Sequence, residues 1–191
     1  FHYYEGYDMK QVTFPVRVMK YLGITKLIVS NASGGVNPSY KVGDIVVLTD
    51  HINMMPEHPL RGHNDERFGP RFVNMSEPYA RAMIAKTFEL GKELNIDLKK
   101  GIYLGLQGPT FETLAEYKMV KAVGADCVGM STVPEVIVAR HMEIECFGVS
   151  VITDMGDEEN IDEVSHEEVL QAAAKAEPHV RDLIKNLIVS Y

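Results

Sequence analysis

Short runs of β-branched and apolar residues alternate along the chain with longer stretches in which apolar residues recur at helical spacing. The short runs predict strands at 26–30, 43–49, 101–106 and 144–152. The longer stretches predict helices at 9–22, 76–94 and 114–123, and a final helix that ends near residue 188. This alternation indicates an α/β fold, with a mixed, largely parallel central β-sheet flanked by helices.

The segment 127–141, CVGMSTVPEVIVARH, combines a strand, a turn and the start of a helix. Thr132 and Glu135 have the spacing of a capping box, and Pro134 is tolerated in a first helical turn. Ser131 would then lie beside a helix amino terminus, whose exposed amide donors and positive dipole suit an anion such as phosphate. The alternative is a serine that only caps a buried helix.

Other polar groups follow predicted strands. The segment 31–35 contains two glycines, which fit either a ligand-contacting loop or an ordinary tight turn. Phe111 and Glu112 place an aromatic face beside a bidentate acceptor, as a heterocyclic base requires, although a helix dipole also favours a carboxylate there. Asp154 ends another strand. Ligands of α/β sheets bind where strands end, so we expect these groups and Ser131 on one rim.

Length and charge narrow the class of protein. The 191 residues fit a single domain, 1–191, and a formal net charge of −8 argues against a nucleic-acid partner. No apolar run is long enough to cross a bilayer, so no membrane partner is expected. Cys127 and Cys146 lie in apolar, strand-like contexts that favour buried reduced thiols, which together with the lack of a signal-peptide pattern predicts a cytoplasmic protein.

A long segment without periodicity, 51–75, is expected to carry specificity or subunit contacts. Its histidines and carboxylates match no standard ligand spacing, so no metal site is expected. Phe72 could cover a planar ligand, reach a neighbouring subunit or pack locally. The acidic stretch 154–163 lacks the order of a calcium loop and is expected to be a solvated loop.

Seven motifs, in this order, carry a resemblance that extends from Phe1 to the last helix: FHYYEGY, VTFPVRV, SNASGGVNP, VGDIVVLTDHIN, PLRGHNDERFGPRF, GPTFET and GADCVGMSTVPEVIVARH. Together they resemble the trimeric purine nucleoside phosphorylases. The resemblance implies the nucleoside phosphorylase fold and reversible phosphorolysis of a purine nucleoside to free purine and (deoxy)ribose 1-phosphate. It further implies a homotrimer without a cofactor, in which inorganic phosphate is a co-substrate.

Matched position by position, the resemblance also implies site residues. They are His2, Ala32 and Ser131 for phosphate; Tyr4, Tyr103, Met130 and His166 for ribose; and Phe111, Glu112, Val128 and Asp154 for the purine. His2, Glu112 and Asp154 would carry the catalysis, and Phe72 would reach the active site of the adjacent subunit.

Two departures from the family pattern matter. Asp154 stands where the family usually has asparagine, and an ionised aspartate cannot donate to purine O6 or N7. Glu112 nevertheless points to 6-oxopurines, so we expect inosine and guanosine to be preferred over adenosine. The family's amino-terminal part is absent from this sequence, and weak phosphate binding and slow turnover are therefore expected. A methylthioadenosine phosphorylase and a catalytically weak nucleoside-binding fragment remain the alternatives.

Overall fold

The computed structural model describes residues 1–156 and 165–191. After one 3-10 turn at Tyr3–Glu5, five strands and five helices follow within these residues. The strands are β1 (Lys26–Gly35), β2 (Ile45–Asn53), β3 (Leu98–Gly105), β4 (Cys127–Gly129) and β5 (Glu145–Met155). The helices are α1 (Met9–Tyr21), α2 (Arg81–Glu93), α3 (Leu114–Ala122), α4 (Val133–His141) and α5 (His166–Val189).

The strands form one sheet that closes on itself in the order β1-β4-β3-β2-β5. Three pairings are parallel (β1 with β5, β2 with β3, β3 with β4), and two are antiparallel (β1 with β4, β2 with β5). The predicted mixed, largely parallel sheet with flanking helices is confirmed. Closure was not predicted, because periodicity within a strand carries no information about which strands become neighbours.

Helices cover the outside of this sheet in pairs. Helix α1 packs on α4, where Val16 and Ile137 join one buried apolar cluster. Helix α2 packs on α5, where Met83 and Leu183 join a second cluster with Phe147 of β5. Each fully buried side chain of this size contributes roughly 1.5–3 kcal/mol. The packed clusters hold the ends of β1, β4 and β5 in fixed relation to one another.

The segment 31–35 is part of β1, so the expectation of a loop or tight turn there is wrong. Its backbone continues to pair with β5, although the register shifts between Ser33 and Gly34. Gly34 and Gly35 also pair with β4 on the other side. These long-range partners satisfy the backbone hydrogen bonds that a loop would leave to solvent.

The predicted start of α1 at residue 9 agrees with the structure, and the predicted start of α2 at residue 76 is wrong. Asp8 caps α1 by accepting from the Gln11 amide at 2.8 Å, and Pro15 falls in the helix interior. Ser76 does not cap α2, which begins at Arg81, because the Ser76 amide is engaged by the side chain of Asn74. Each helix starts where a local cap or a strand contact ends the preceding segment.

Other predictions concern the cysteines, membrane spans and metal sites. Cys127 and Cys146 are free and buried as predicted, and burial raises the pKa of each thiol to about 12. In the part of the chain that the structure describes, no helix is long and apolar enough to cross a membrane. Within the same residues, no His, Cys, Asp and Glu side chains are grouped to hold a metal ion. Most of the acidic stretch, residues 157–164, lies outside the described residues.

Candidate active site

A cavity of about 260 Å³ opens where β1, β4 and β5 end, close to the lower limit of about 300 Å³ for ligand clefts. It brings together ten side chains or backbone positions that sequence reasoning selected: His2, Tyr4, Ala32, Phe111, Glu112, Val128, Met130, Ser131, Asp154 and His166. They come from six separate stretches of the chain. The expected common rim at the strand ends is therefore present.

Asp154 lies at one end of this cavity, paired in register with Gly34 of the parallel strand β1. Its Oδ2 accepts a hydrogen bond from the Tyr117 hydroxyl at 2.9 Å, and its Oδ1 accepts one from Thr153 Oγ1, also at 2.9 Å. Two hydroxyl donors thus fix the plane of the carboxylate, which faces the cavity as an acceptor.

Glu112 lies beside Asp154 and is only 9% exposed. Burial raises the pKa of Glu112, and the negative charges of Asp154 and Glu116 raise it further, while a hydrogen bond from the Glu112 backbone amide acts in the opposite direction. Phe111 precedes it and is partly exposed at the same cavity. This end of the cavity therefore offers an aromatic side chain and two carboxyl groups. A heterocyclic base could pack its flat ring on the first and donate hydrogen bonds from its N–H groups to the second.

Tyr117 is a site residue that sequence reasoning missed, because in the sequence it is only one buried position of α3. Two glycines make room for it. A Cβ on Gly34 would lie 3.0 Å from the Tyr117 hydroxyl and 2.9 Å from Asp154 Oδ2, and a Cβ on Gly156 would lie 2.2 Å from the Tyr117 ring. Tyr117 itself is buried, and its pKa is raised by burial and by the Asp154 charge.

The turn before α4 forms the opposite end of the cavity, and it is strained. Thr132 has φ 72° and ψ −51°, and the Val133 amide donates to the Ser131 carbonyl at 2.7 Å. This is a γ-turn with a β-branched residue at its centre, a conformation that proteins rarely use. The predicted capping of α4 by the Thr132 side chain is wrong, because that side chain makes no capping hydrogen bond.

The amides of this turn are already used inside the protein. The Ser131 amide donates to the Tyr103 hydroxyl at 3.2 Å, and the Val133 amide donates to the Ser131 carbonyl. The expectation of exposed amide donors is therefore wrong for Ser131 and Val133. What this end of the cavity presents is the hydroxyl of Ser131, which lies 3.1 Å from Thr132 Oγ1.

His2 and Tyr4 close the cavity from the amino-terminal segment. Their rings stack with centroids 4.8 Å apart, and Glu5 Oε1 lies 3.0 Å from His2 Nδ1 and accepts from the His2 amide at 2.7 Å. These hydrogen bonds lower the pKa of Glu5. Sequence reasoning missed Glu5, although the His-x-x-Glu spacing signals it. His166 is the first residue of α5, just after the cap Ser165, as predicted.

Two residues that the family resemblance assigns to the site do not line the cavity. Tyr103 is fully buried and does not line the cavity; its hydroxyl supports the turn from behind by accepting from Ser131. The expectation of Tyr103 in the wall of the sugar pocket is therefore not met. Phe72 lies in the irregular segment between β2 and α2 and is 89% exposed.

Three comparisons with known proteins agree. The model of the family described as the phosphorylase superfamily matches residues 3–189. Purine nucleoside phosphorylase 1 of Bacillus subtilis is 44% identical over all of this chain and 70% of its own length, and purine nucleoside phosphorylase of Mus musculus is 49% identical over all of this chain and 68% of its own length. The crystal structure of Schistosoma mansoni purine nucleoside phosphorylase in complex with adenosine superimposes with a TM-score of 0.95 at 41% identity, covering 98% of this chain and 70% of the other.

Proposed function

This chain belongs to the phosphorylase superfamily, and we propose that it is a purine nucleoside phosphorylase, a pentosyltransferase that converts a purine nucleoside and phosphate reversibly into free purine and (deoxy)ribose 1-phosphate. The observation that carries this proposal is one cavity with aromatic and carboxyl side chains at one end and hydroxyl and imidazole side chains at the other. The two ends match the two halves of a nucleoside-plus-phosphate substrate pair.

The purine binds at the carboxyl end. Glu112 accepts hydrogen bonds from the base, Phe111 and Val128 pack against its faces, and Asp154 lies near N7 and the 6-substituent. The raised pKa of Glu112 supports this role, because a desolvated carboxylate gains most from a hydrogen-bond donor on the ligand.

Phosphate binds at the other end, and the sugar lies between. The Ser131 hydroxyl, the Ala32 amide and the His2 imidazole hold the anion, while Met130, Tyr4 and His166 contact the ribose. All six line the cavity. The sugar then sits with its anomeric carbon between the departing base and the attacking phosphate oxygen, which is the arrangement that a displacement needs.

The chemistry follows from this placement. As the glycosidic bond breaks, positive charge develops on the sugar and negative charge on the purine. The phosphate anion stabilises the first, and the hydrogen bond that the base donates to Glu112 holds the base in place; the departing purine takes up one proton, which balances the proton that hydrogen phosphate loses. The phosphate oxygen then bonds to the anomeric carbon, and no covalent enzyme intermediate, cofactor or metal is needed for this sequence of steps.

For the base, we propose a preference for inosine and guanosine over adenosine, because Glu112 suits the N–H groups of 6-oxopurines. Relatives support a broad purine range, since the Schistosoma enzyme has been solved with adenosine and with inosine. Asp154 opposes the preference, because its oxygens already accept from Tyr117 and Thr153 and supply no donor to O6.

We further propose a cytoplasmic homotrimer. Its support is an exposed apolar stripe on α1, formed by Phe14, Val18, Tyr21 and Leu22, together with the exposed Phe72. Contiguous apolar surface of this kind marks protein contacts. Two buried free thiols suit a reducing compartment.

The deciding experiment is a coupled assay for hypoxanthine release from inosine, with and without phosphate. Release that requires phosphate and yields ribose 1-phosphate is expected, and Glu112→Ala serves as the inactive control. Phosphate-independent release would make the protein a hydrolase. Absence of release, with nucleoside still bound, would make it a binding module, and faster cleavage of methylthioadenosine than of inosine would favour a methylthioadenosine phosphorylase.

A further inference from the structure

The strained turn before α4 is held by a residue from a distant strand. Asn31 of β1 donates from its Nδ2 to Thr132 Oγ1 at 2.8 Å, although the two residues are 101 positions apart. Thr132 Oγ1 also lies 3.1 Å from Ser131 Oγ. Strained conformations persist only where their surroundings enforce them, and they gather at functional sites. The contact from Asn31 is one such constraint.

The direction of the first hydrogen bond in this chain is fixed by chemistry. An amide NH₂ donates and cannot accept, so Thr132 Oγ1 is the acceptor of the bond from Asn31. Between Thr132 Oγ1 and Ser131 Oγ either hydroxyl can donate, but the bond received from Asn31 polarises the Thr132 O–H and so favours Thr132 as the donor. When Ser131 Oγ accepts this bond, its own proton is left for a ligand in the cavity.

This polarity matters because the Ser131 hydroxyl is the donor that the turn offers. The amides of Ser131 and Val133 are engaged within the protein. An anion that reaches this end of the cavity therefore depends on a hydroxyl whose proton faces outward. A serine free to rotate would present its lone pairs to the anion part of the time.

We infer that Asn31 is a positioning residue for phosphate: acting through Thr132, it fixes the Ser131 hydroxyl as a donor toward the anion. The inference rests on the proposed function and deepens it, since it names what orients the phosphate ligand. Asn31 does not need to touch phosphate for this role. Its Oδ1 is buried without a hydrogen-bond partner among the described residues.

The inference predicts a separation of kinetic constants. Asn31→Ala and Thr132→Val each remove one link, and each should raise KM for inorganic phosphate about fivefold to tenfold, the effect of losing roughly one hydrogen bond. KM for inosine should change less than twofold. Thr132→Ser keeps the hydroxyl and should retain the parent KM for phosphate. The double variant should be no worse than the worse single variant, because both act through one chain.

A second readout does not need turnover. Inorganic phosphate stabilises the protein in proportion to its binding, so the phosphate-dependent rise in Tm should shrink in both single variants and persist in Thr132→Ser. If the losses in Asn31→Ala and Thr132→Val add, or if either variant keeps the parent KM for phosphate, the inference is wrong. If the parent protein shows no phosphate-dependent cleavage but its phosphate-dependent Tm shift follows the pattern above, the proposed function fails while the inference stands for anion binding.

Discussion

The Tyr117 hydroxyl donates to Asp154 Oδ2 over 2.9 Å, and this bond joins helix α3 to the end of the cavity where we propose that the purine binds. Tyr117→Phe removes the donor while keeping the buried ring. Hydrogen bonds to charged groups contribute about 1.5–3 kcal/mol, so kcat/KM for inosine should fall roughly tenfold or more. KM for phosphate should not change, because Tyr117 lies away from Ser131. Steady-state kinetics with each substrate varied separately check this, and an equal loss for both substrates would contradict it.

Asp154→Asn tests the choice between 6-oxo and 6-amino purines. An amide can donate to O6 or N7, which the carboxylate cannot, so the ratio of kcat/KM for inosine to that for adenosine should rise about tenfold, roughly 1.4 kcal/mol. The ratio is the informative quantity because damage to the site cancels in it. A ratio that stays the same or falls would show that Asp154 does not discriminate at the 6-position.

The Glu112→Gln variant should be more stable than the parent protein at neutral pH but less active. Burial raises the pKa of Glu112 in the folded state above its usual 4.5, so the folded protein holds this proton more tightly than the unfolded chain. Stability is therefore lost as pH rises from the unfolded pKa through the folded pKa. Glutamine carries no charge and should be more stable than the parent at pH 7, with the difference vanishing below about pH 4.

The same variant should lose most of its activity. Removing a charged acceptor that holds the base is expected to lower kcat/KM for inosine about 100-fold or more. Urea unfolding at pH 4 and pH 7, together with inosine kinetics, tests both halves. Glu116→Gln is a matched control, because Glu116 is exposed and caps α3 at Thr113 instead of facing the cavity. Equal stabilisation in both variants would contradict the role of burial.

Phe72→Ala tests the proposed contact between subunits. The side chain is 89% exposed, so its removal should change the unfolding free energy of a single chain by less than about 0.5 kcal/mol. Inosine kinetics should nevertheless show a raised KM if Phe72 reaches a neighbouring site. Sedimentation velocity reports the assembly, and Val189→Ala, at another exposed apolar position, is the control. Unchanged kinetics in an intact trimer would place Phe72 outside the site.

Much of the site could be predicted because its residues follow strands in the chain. Ser131 and Asp154 each come at or just after a strand end, and ligands of α/β sheets bind where strands end. Resemblance to a family then supplied residues such as His2 and His166, which no local pattern identifies as ligands. Periodicity and motif together thus gave the fold class and ten cavity residues.

What could not be predicted depends on contacts between distant segments. The γ-turn at Thr132 receives a side-chain hydrogen bond from Asn31 of β1, and the segment 31–35 continues β1 by pairing with β4 and β5. Tyr117 becomes a site residue only because Gly34 and Gly156 leave space for its ring. Sequence positions far apart carry no local signal of such fits, so these features appear only once the chain is folded.

The parallel pairing of β1 with β5 divides the cavity into two parts whose backbone amides should differ in their protection from hydrogen exchange. The floor of the cavity is formed by β1 and β5, which pair along the whole of β1, so the hydrogen-bonded ladder amides of these strands should exchange with deuterium slowly, by opening of the whole domain. His2 and Phe111 lie outside the sheet, where local opening suffices. The conformational entropy that the protein loses on substrate binding should therefore come from ordering of the rim, because the floor of the cavity is already ordered in the free protein.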